Sequence, residues 1–426
     1  MSREMKHSGI PWIGEIPKGW SIMPNKRVMH KVKEIQEHYN GENILSLTMR
    51  GVIVRDLDAG GKMPTTFDGY QKVYPNNLLQ CLFDIDVTPR CVGLIKDEGL
   101  TSPAYSQFAM CSNGYAPYYD YLLRYMDDRK TLLHLSKNLR SSLTETDFGA
   151  ILTCVPPIAE QQKIAEFLDK KCSEVDEMIA LQEQIIEELK AYKQSVITEA
   201  VTKGLNPNVP MKDSGIEWIG EIPEHWIISK LKFFTSKVGS GSTPTGGSNV
   251  YVNDGIKFLR SQNVYFEGLV LDDVVYISDD VDEKMKGTRV QEGDVLLNIT
   301  GGSIGRCFYV DSTLGNANVN QHVSIIRPYK ALTKYVKYYL QSNIGQHQVK
   351  QLQTGGNREG LSASAIKEFR FLDIPITEQQ TIADYLDKKC SEIDKLISIK
   401  QQKIESLKEY KKSIIYEYVT GKKEVV

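Results

Sequence analysis

The stretch GSGSTPTGG, Gly239 to Gly247, has the glycine and hydroxyl content of a backbone cradle for an anion. It lacks the Gly-Lys-Ser/Thr ending of a P-loop and the G-x-G-x-x-G spacing of a dinucleotide site. Its simplest reading is a flexible loop, with contact to a nucleic-acid backbone as the alternative. Two arginines stand in related turns: Arg140 opens RSSL and Arg358 opens REGL, 218 positions later. An arginine beside exposed backbone amides suits a phosphate or a base edge, though a plain surface turn has the same composition. Catalytic constellations are missing from the pattern. There is no G-x-S-x-G and no His-Glu-x-x-His. The one Pro-Pro pair, Pro156-Pro157, has neither Asn nor Asp before it. These residues predict a chain that binds rather than one that catalyses.

Those loops belong to a chain of 426 residues, with 41% hydrophobic and 25% charged side chains. That composition predicts a globular protein of two to four domains. No apolar run approaches the roughly 20 residues of a membrane helix, and the N-terminus has no apolar core of a signal peptide, so the expected compartment is the cytoplasm, with no membrane partner. Seven cysteines and seven histidines lack metal-ligand spacing and predict reduced, mostly buried thiols. A net charge of −2 argues against a stand-alone nucleic-acid binder but leaves room for local basic patches.

What must position the loops is written twice. Residues 5–20 and 211–226 are identical at 12 of 16 positions, and all four tryptophans, Trp12, Trp20, Trp218 and Trp226, lie inside this repeat. Residues 157–202 and 375–420 are identical at 28 of 46 positions. The chain is two copies of one plan: lead-in phrase, middle, long tail.

Each tail predicts a helix with one apolar stripe. In the first, Ile164, Leu168, Cys172, Val175, Ile179, Ile186 and Leu189 recur at three- and four-residue steps or multiples of them. Ile382, Leu386, Cys390, Ile393, Ile397, Ile404 and Leu407 repeat the pattern. A mean period near 3.5 is that of a coiled-coil seam. Glu160 and Glu378 suit the positive end of each helix dipole, and Gly204 and Gly421 mark the stops. Roughly 40 residues make a rod of about 60 Å. A lone stripe must be buried, and the near-copy is the expected partner.

The middles, 21–156 and 227–374, share little sequence. Both carry short β-type runs broken by Gly, Asn and Pro, such as GVIVRDL and DVLLNIT, and both end in a helical piece, YDYLLRYM or KYVKYYLQS. Each reads as a mixed α/β globule. A copied frame around different inserts suits recognition of an asymmetric target.

At this point the chain resembles the specificity (HsdS) subunits of type I restriction–modification systems. The resemblance rests on the duplicated W-I-G-E-I-P-x-x-W, on P-I-x-E-Q-Q-x-I-A opening each tail, and on GSGSTPTGG with IKFLRSQNV and EGDVLLNITGGSIG. In the first middle it rests on GVIVRD, YPNNLL and EGLTSPAY. One departure is Pro75-Asn76-Asn77, where the family more often has Pro-Gly-Asp.

The resemblance implies an α+β, mixed α/β fold. It has two tandem target recognition domains separated by two long antiparallel helices in a coiled-coil-like arm, with pseudo-two-fold symmetry. The expected boundaries are 1–155, 156–205, 206–374 and 375–426. Each recognition domain would read one half of a bipartite DNA target. The partners would be double-stranded DNA, two methyltransferase subunits and two restriction subunits. S-adenosylmethionine, ATP and Mg would sit on those partners and none on this chain, which would not be catalytic. The competing reading is an interaction scaffold for protein or other ligands.

Base reading needs Arg, Lys, Asn, Gln, Ser or Thr at groove edges. In the second middle the candidates are Arg260, Gln262, Asn263, Thr300, Ser303, Asn320, Gln321, Asn357 and Arg358. In the first they are Thr48, Met49, Arg50, Thr88, Arg90, Ser102, Tyr105 and Arg140.

Overall fold

The computed structural model describes residues 3–59, 64–136, 141–353 and 360–425. The chain folds as two compact units, one of residues 1–182 with 402–426, the other of residues 183–401. Each long tail is one helix, and each helix is shared out between the units: α2 runs Ile158–Lys203 and α4 runs Ile376–Val419. Both stop at a glycine with positive φ, Gly204 at 74° and Gly421 at 70°, where a side chain would be strained.

The lead-in phrase folds the same way twice. Met5–His7 pairs antiparallel with Glu15–Pro17, and Met211–Asp213 with Glu221–Pro223. Trp20 and Trp226, which close each phrase, are fully buried. Each indole N–H donates to the glutamate in the first turn of a long helix: Trp20 to Glu160 at 2.9 Å, Trp226 to Glu378 at 3.0 Å.

The next residue of the P-I-x-E-Q-Q motif is a second clamp. Gln161 is buried; its Oε1 accepts from the backbone N–H of Tyr115 at 2.8 Å, at the start of α1, Ala116–Asp128. Gln379 does the same for Leu332 at 2.8 Å, at the start of α3, Thr333–Gln341. Tyr121 on α1 donates to Asp169 at 2.7 Å, and Tyr338 on α3 to Asp387 at 2.7 Å. The copied residues thus tie each middle's helix to a long helix, with the buried amides Gln161 and Gln379 satisfied.

The apolar stripes are buried within each unit. In the first, Ile164, Leu168, Cys172 and Val175 are buried, and Ile414, Ile415 and Val419 share their core. Phe167 packs against Tyr418, with ring centroids 4.4 Å apart, and Lys411 pairs with Asp176 at 2.6 Å, so the two helix segments run antiparallel there. In the second, Val196, Ile197, Ala200 and Val201 share a core with Ile382, Leu386 and Cys390, and Lys193 pairs with Asp394 at 2.7 Å. Ile186, Ile393, Ile404 and Leu407 are also buried, while Ile179, Leu189 and Ile397 are half-buried. Full burial of such a side chain contributes about 1.5–3 kcal/mol.

The middles share more architecture than sequence. Each is built on a four-stranded antiparallel sheet of the same order. In the first unit it runs Met29–Val32, Ser106–Met110, Leu78–Gln80, Val92–Leu94; in the second, Thr235–Ser240, Val323–Pro328, Val295–Asn298, Cys307–Tyr309. The Pro-Asn-Asn departure is accommodated inside this shared sheet. Asn76 adopts φ 64° and its N–H donates to Ile95 O at 2.9 Å, while Gly293 adopts φ 88° and donates to Val310 O at 2.8 Å. Asparagine tolerates the left-handed region best after glycine.

What differs is what hangs from the sheet. The second unit adds a mixed sheet of Tyr251–Val252, Val275–Ile277, Ile256–Leu259 and Ala317–Val319, the last two parallel. The first has a hairpin, Leu45–Thr48 with Gly51–Val54, and a ladder of Gln71–Val73 with Gly99–Thr101. Among the described residues no helix is long and apolar enough to cross a membrane. Six of the seven cysteines are buried and Cys111 is half-buried; none forms a disulfide.

Candidate nucleic-acid interface

In the second unit the candidate fragments converge. Asn298 ends a core strand, and its Nδ2 donates to Ser261 O at 2.7 Å and to Ser303 Oγ at 3.2 Å, joining the LRSQN turn to the ITGGSIG turn. Thr300 Oγ1 lies 2.6 Å from His322 Nδ1, joining ITGGSIG to NVNQH. Thr300 also bridges Gly360, and Leu361 N–H donates to Ile299 O at 2.9 Å, which brings the segment after Arg358 to the same place. Thr243, in the glycine-rich loop, donates to Gln321. Gly241 lets that loop approach: a Cβ there would lie 2.0 Å from Val319 O.

Three candidates of the LRSQN turn are organised by one residue, Asp273. Gln262 Nε2 donates to its carboxylate, Asn263 Nδ2 does so at 2.8 Å, and Arg260 Nη2 donates to its carbonyl at 2.8 Å. Gln262 is exposed and Arg260 half-buried. Asn263 is fully buried, accepts from Arg260 N at 2.9 Å and donates to Val270 O at 2.9 Å, so it shapes the turn and its edge is not free to read a base. Asn320 is 9% exposed and accepts from His322 N, again a turn-forming use. Ser303 is half-buried and Gln321 exposed. Asn357 and Arg358 lie outside the described residues, as does Arg140.

The first unit's candidates fall in two groups. Thr48, Met49 and Arg50 form the tip of the hairpin. Thr48 Oγ1 accepts from Arg50 N at 3.1 Å and donates to Gly51 O at 3.0 Å, leaving Met49 62% exposed and Arg50 exposed. The other group is the loop after Gln80 and the SPAY turn. Tyr105, half-buried, stacks on Phe83 with centroids 6.0 Å apart, and Gln71 Nε2 holds the carbonyls of Ser102 at 2.9 Å and Tyr105 at 2.7 Å. Thr88 is half-buried beside Cys81. Arg90 is otherwise engaged. Its guanidinium pairs with Asp128 at 2.8 Å and buried Asp127 at 3.3 Å, so its charge offsets a buried carboxylate rather than meeting an anion.

Sequence reasoning missed Asp273, the second of two adjacent acids in LDDVVY, and His322, which stands inside the noted NVNQH. It missed Thr243, and Arg306, whose guanidinium lies 4.8 Å over the Tyr265 ring. It also missed the exposed apolar pair Phe83 and Val87, the latter 73% exposed.

On α3, burial among Phe308, Tyr309 and Tyr338 pushes the Lys337 ammonium down to about 8, with its Nζ 3.4 Å from the Tyr338 ring centre. Among the described residues no cluster of three or more His, Cys, Asp or Glu could hold a metal.

Residues 223–409 match the family model of the type I restriction modification DNA specificity domain. The fold is that of a chain solved in a study of complex assembly and conformational transition of the type I R-M system, with a TM-score of 0.72 at 14% identity, covering 95% of this chain and 98% of that one. The chain is similar to the type I specificity subunits. Its relatives include a Methanocaldococcus jannaschii chain designated the MjaX specificity subunit, 27% identical over 321 residues, 73% of this chain and 69% of that one. The type I restriction enzyme MjaVIII specificity subunit of the same organism is 28% identical over 283 residues, 65% of this chain and 63% of that one.

Proposed function

We propose that this chain is a specificity subunit that reads a bipartite, asymmetric DNA sequence, one half with each unit's middle. The observation that carries the reading is one frame holding two loop sets. The Trp–Glu, Gln–backbone and Tyr–Asp contacts are the same in both units, whereas the loops on the shared sheet differ. Exposed Gln262, Gln321 and Thr243 and half-buried Arg260, on loops that hydrogen bonds tie together, supply groups suited to base edges and phosphates.

The chain itself transfers no methyl group and cuts no DNA in this reading. Two methyltransferase subunits would do the first with S-adenosylmethionine, and two restriction subunits the second with ATP and Mg. The long helices carry a repeated exposed apolar set suited to identical partners. Met178, Leu181 and Tyr192 on α2 match Leu396, Ile399 and Tyr410 on α4 at the 218 offset, all between 47% and 58% exposed. A surface written twice accepts two copies of one partner. The compartment is the cytoplasm, where the DNA and those subunits are.

The test is a titration of duplex DNA with the chain co-purified with its methyltransferase subunit. Affinity should fall linearly with log salt, since phosphate neutralisation releases counterions, and methyl transfer should require both half-sites. Salt-independent binding, or transfer to DNA holding one half-site, would favour a scaffold for other ligands.

A further inference from the structure

Gln321 stands exposed on the turn that follows the strand Ala317–Val319. Thr243 donates its hydroxyl hydrogen to Gln321 Oε1. Gln321 Nε2 lies 3.0 Å from His322 Nε2, and His322 Nδ1 lies 2.6 Å from Thr300 Oγ1. One chain of hydrogen bonds therefore crosses three loops, GSGSTPTGG, NVNQH and ITGGSIG. A primary amide has two N–H donors and two acceptor lone pairs. The chain takes one donor and one acceptor from Gln321 and leaves one of each. Reversing the sense of the chain flips the amide and leaves the same pair.

We propose that Gln321 reads an adenine in the second half-site through that remaining pair, with Thr243 and His322 as positioning residues. The inference rests on the DNA-reading function above. In the major groove adenine offers N7 as acceptor and N6–H as donor, which a primary amide meets in two parallel hydrogen bonds; guanine offers two acceptors there and cytosine a donor. Holding the amide before DNA arrives removes the rotamer freedom that a solvated glutamine would lose on binding. Asn320, the other amide of the turn, is buried, and its Oδ1 accepts from His322 N. Gly241 makes the arrangement possible by letting the Thr243 loop lie against the backbone of Val319.

The experiment is a map of methylated adenine in cells co-expressing the full chain with its methyltransferase subunit. Gln321→Ala should lower discrimination about tenfold to hundredfold at a single A·T position of the second half-site and leave the first half unchanged. Gln321→Glu, which lacks the donor, should move the preference at that position toward cytosine. Thr243→Val should relax the same position while Thr243→Ser keeps it, a split that general misfolding would not produce. An unchanged motif with Gln321→Ala, or relaxation at a G·C position, overturns the proposal. A wild-type complex that methylates without any bipartite motif overturns the DNA-reading function itself, and this inference with it.

Discussion

The indole N–H of Trp226 donates to the carboxylate of Glu378 at 3.0 Å, across 152 residues of chain. Glu378 also holds His225 at 2.8 Å and sits in the first turn of α4, where the helix dipole favours a negative charge. Trp20 and Glu160 repeat the relationship at 2.9 Å, with Arg3 in place of the histidine. Neither phrase of the duplicated sequence closes its fold alone, which is why the two are copied together.

Trp226→Phe keeps the buried ring but removes the donor. Loss of a hydrogen bond to a charged group costs about 1.5–3 kcal/mol. Denaturant unfolding followed at the second unit should show that loss, with the first unit unchanged. An equal loss in both units would contradict the reading of two separately pinned frames.

Asp273→Ala should free Gln262, remove the 3.6 Å carboxylate contact of Arg260 while keeping its bond to the backbone carbonyl, and leave Asn263 Nδ2 with only Val270 O. Because the Asp273 side chain is about half exposed, stability should fall by only about 1 kcal/mol. Sequence preference in the second half-site should relax while the first is kept. A methylation map in which both halves relax would count against separate readers.

Gly241→Ala should push the glycine-rich loop off the Val319 backbone, because its Cβ would sit 2.0 Å from a carbonyl oxygen. Overpacking of this kind costs about 1–3 kcal/mol, and DNA affinity of the complex should fall with it. Gly239→Ala is the control: its Cβ would meet nothing within 4 Å. Equal DNA-binding losses from the two substitutions would contradict the loop's role.

Lys337 gives a pH dependence. Desolvation depresses its folded pKa to about 8, below the ordinary lysine value, so between the two values the unfolded chain binds more protons than the folded one. Stability of the second unit should therefore rise as pH increases from about 8 toward about 10.4. The cost of burying the charge is present in full below about 8. Lys337→Met should stabilise the unit at pH 7 and flatten this alkaline rise. A melting temperature for wild type that falls over the same interval, with the variant parallel to it, would contradict the assignment.

The frame was legible because duplication marks it: a tryptophan, a glutamate, a glutamine and an aspartate kept in two copies of a diverged chain are held by shared contacts. The stripe from Ile164 to Val175 was legible from period alone. The shared sheet of the middles was not. Its strands are three to six residues long, and their pairing is set by backbone hydrogen bonds that many apolar side chains satisfy. Candidate readers were legible by type but not by use. Asn263 and Gln262 are adjacent amides in one turn, yet one is buried as a brace and the other exposed. Arg90 looks like a phosphate ligand until the buried carboxylate of Asp127 is seen beside it. Asp273 carried no signal, since its role depends on a turn ten residues away.

The most direct measurement is a genome-wide map of methylated adenine in the source cell, with and without this gene. A bipartite, asymmetric motif should lose methylation on deletion and regain it when the gene is restored. Methylation unchanged by deletion, with the chain and its methyltransferase subunit both expressed, would contradict it.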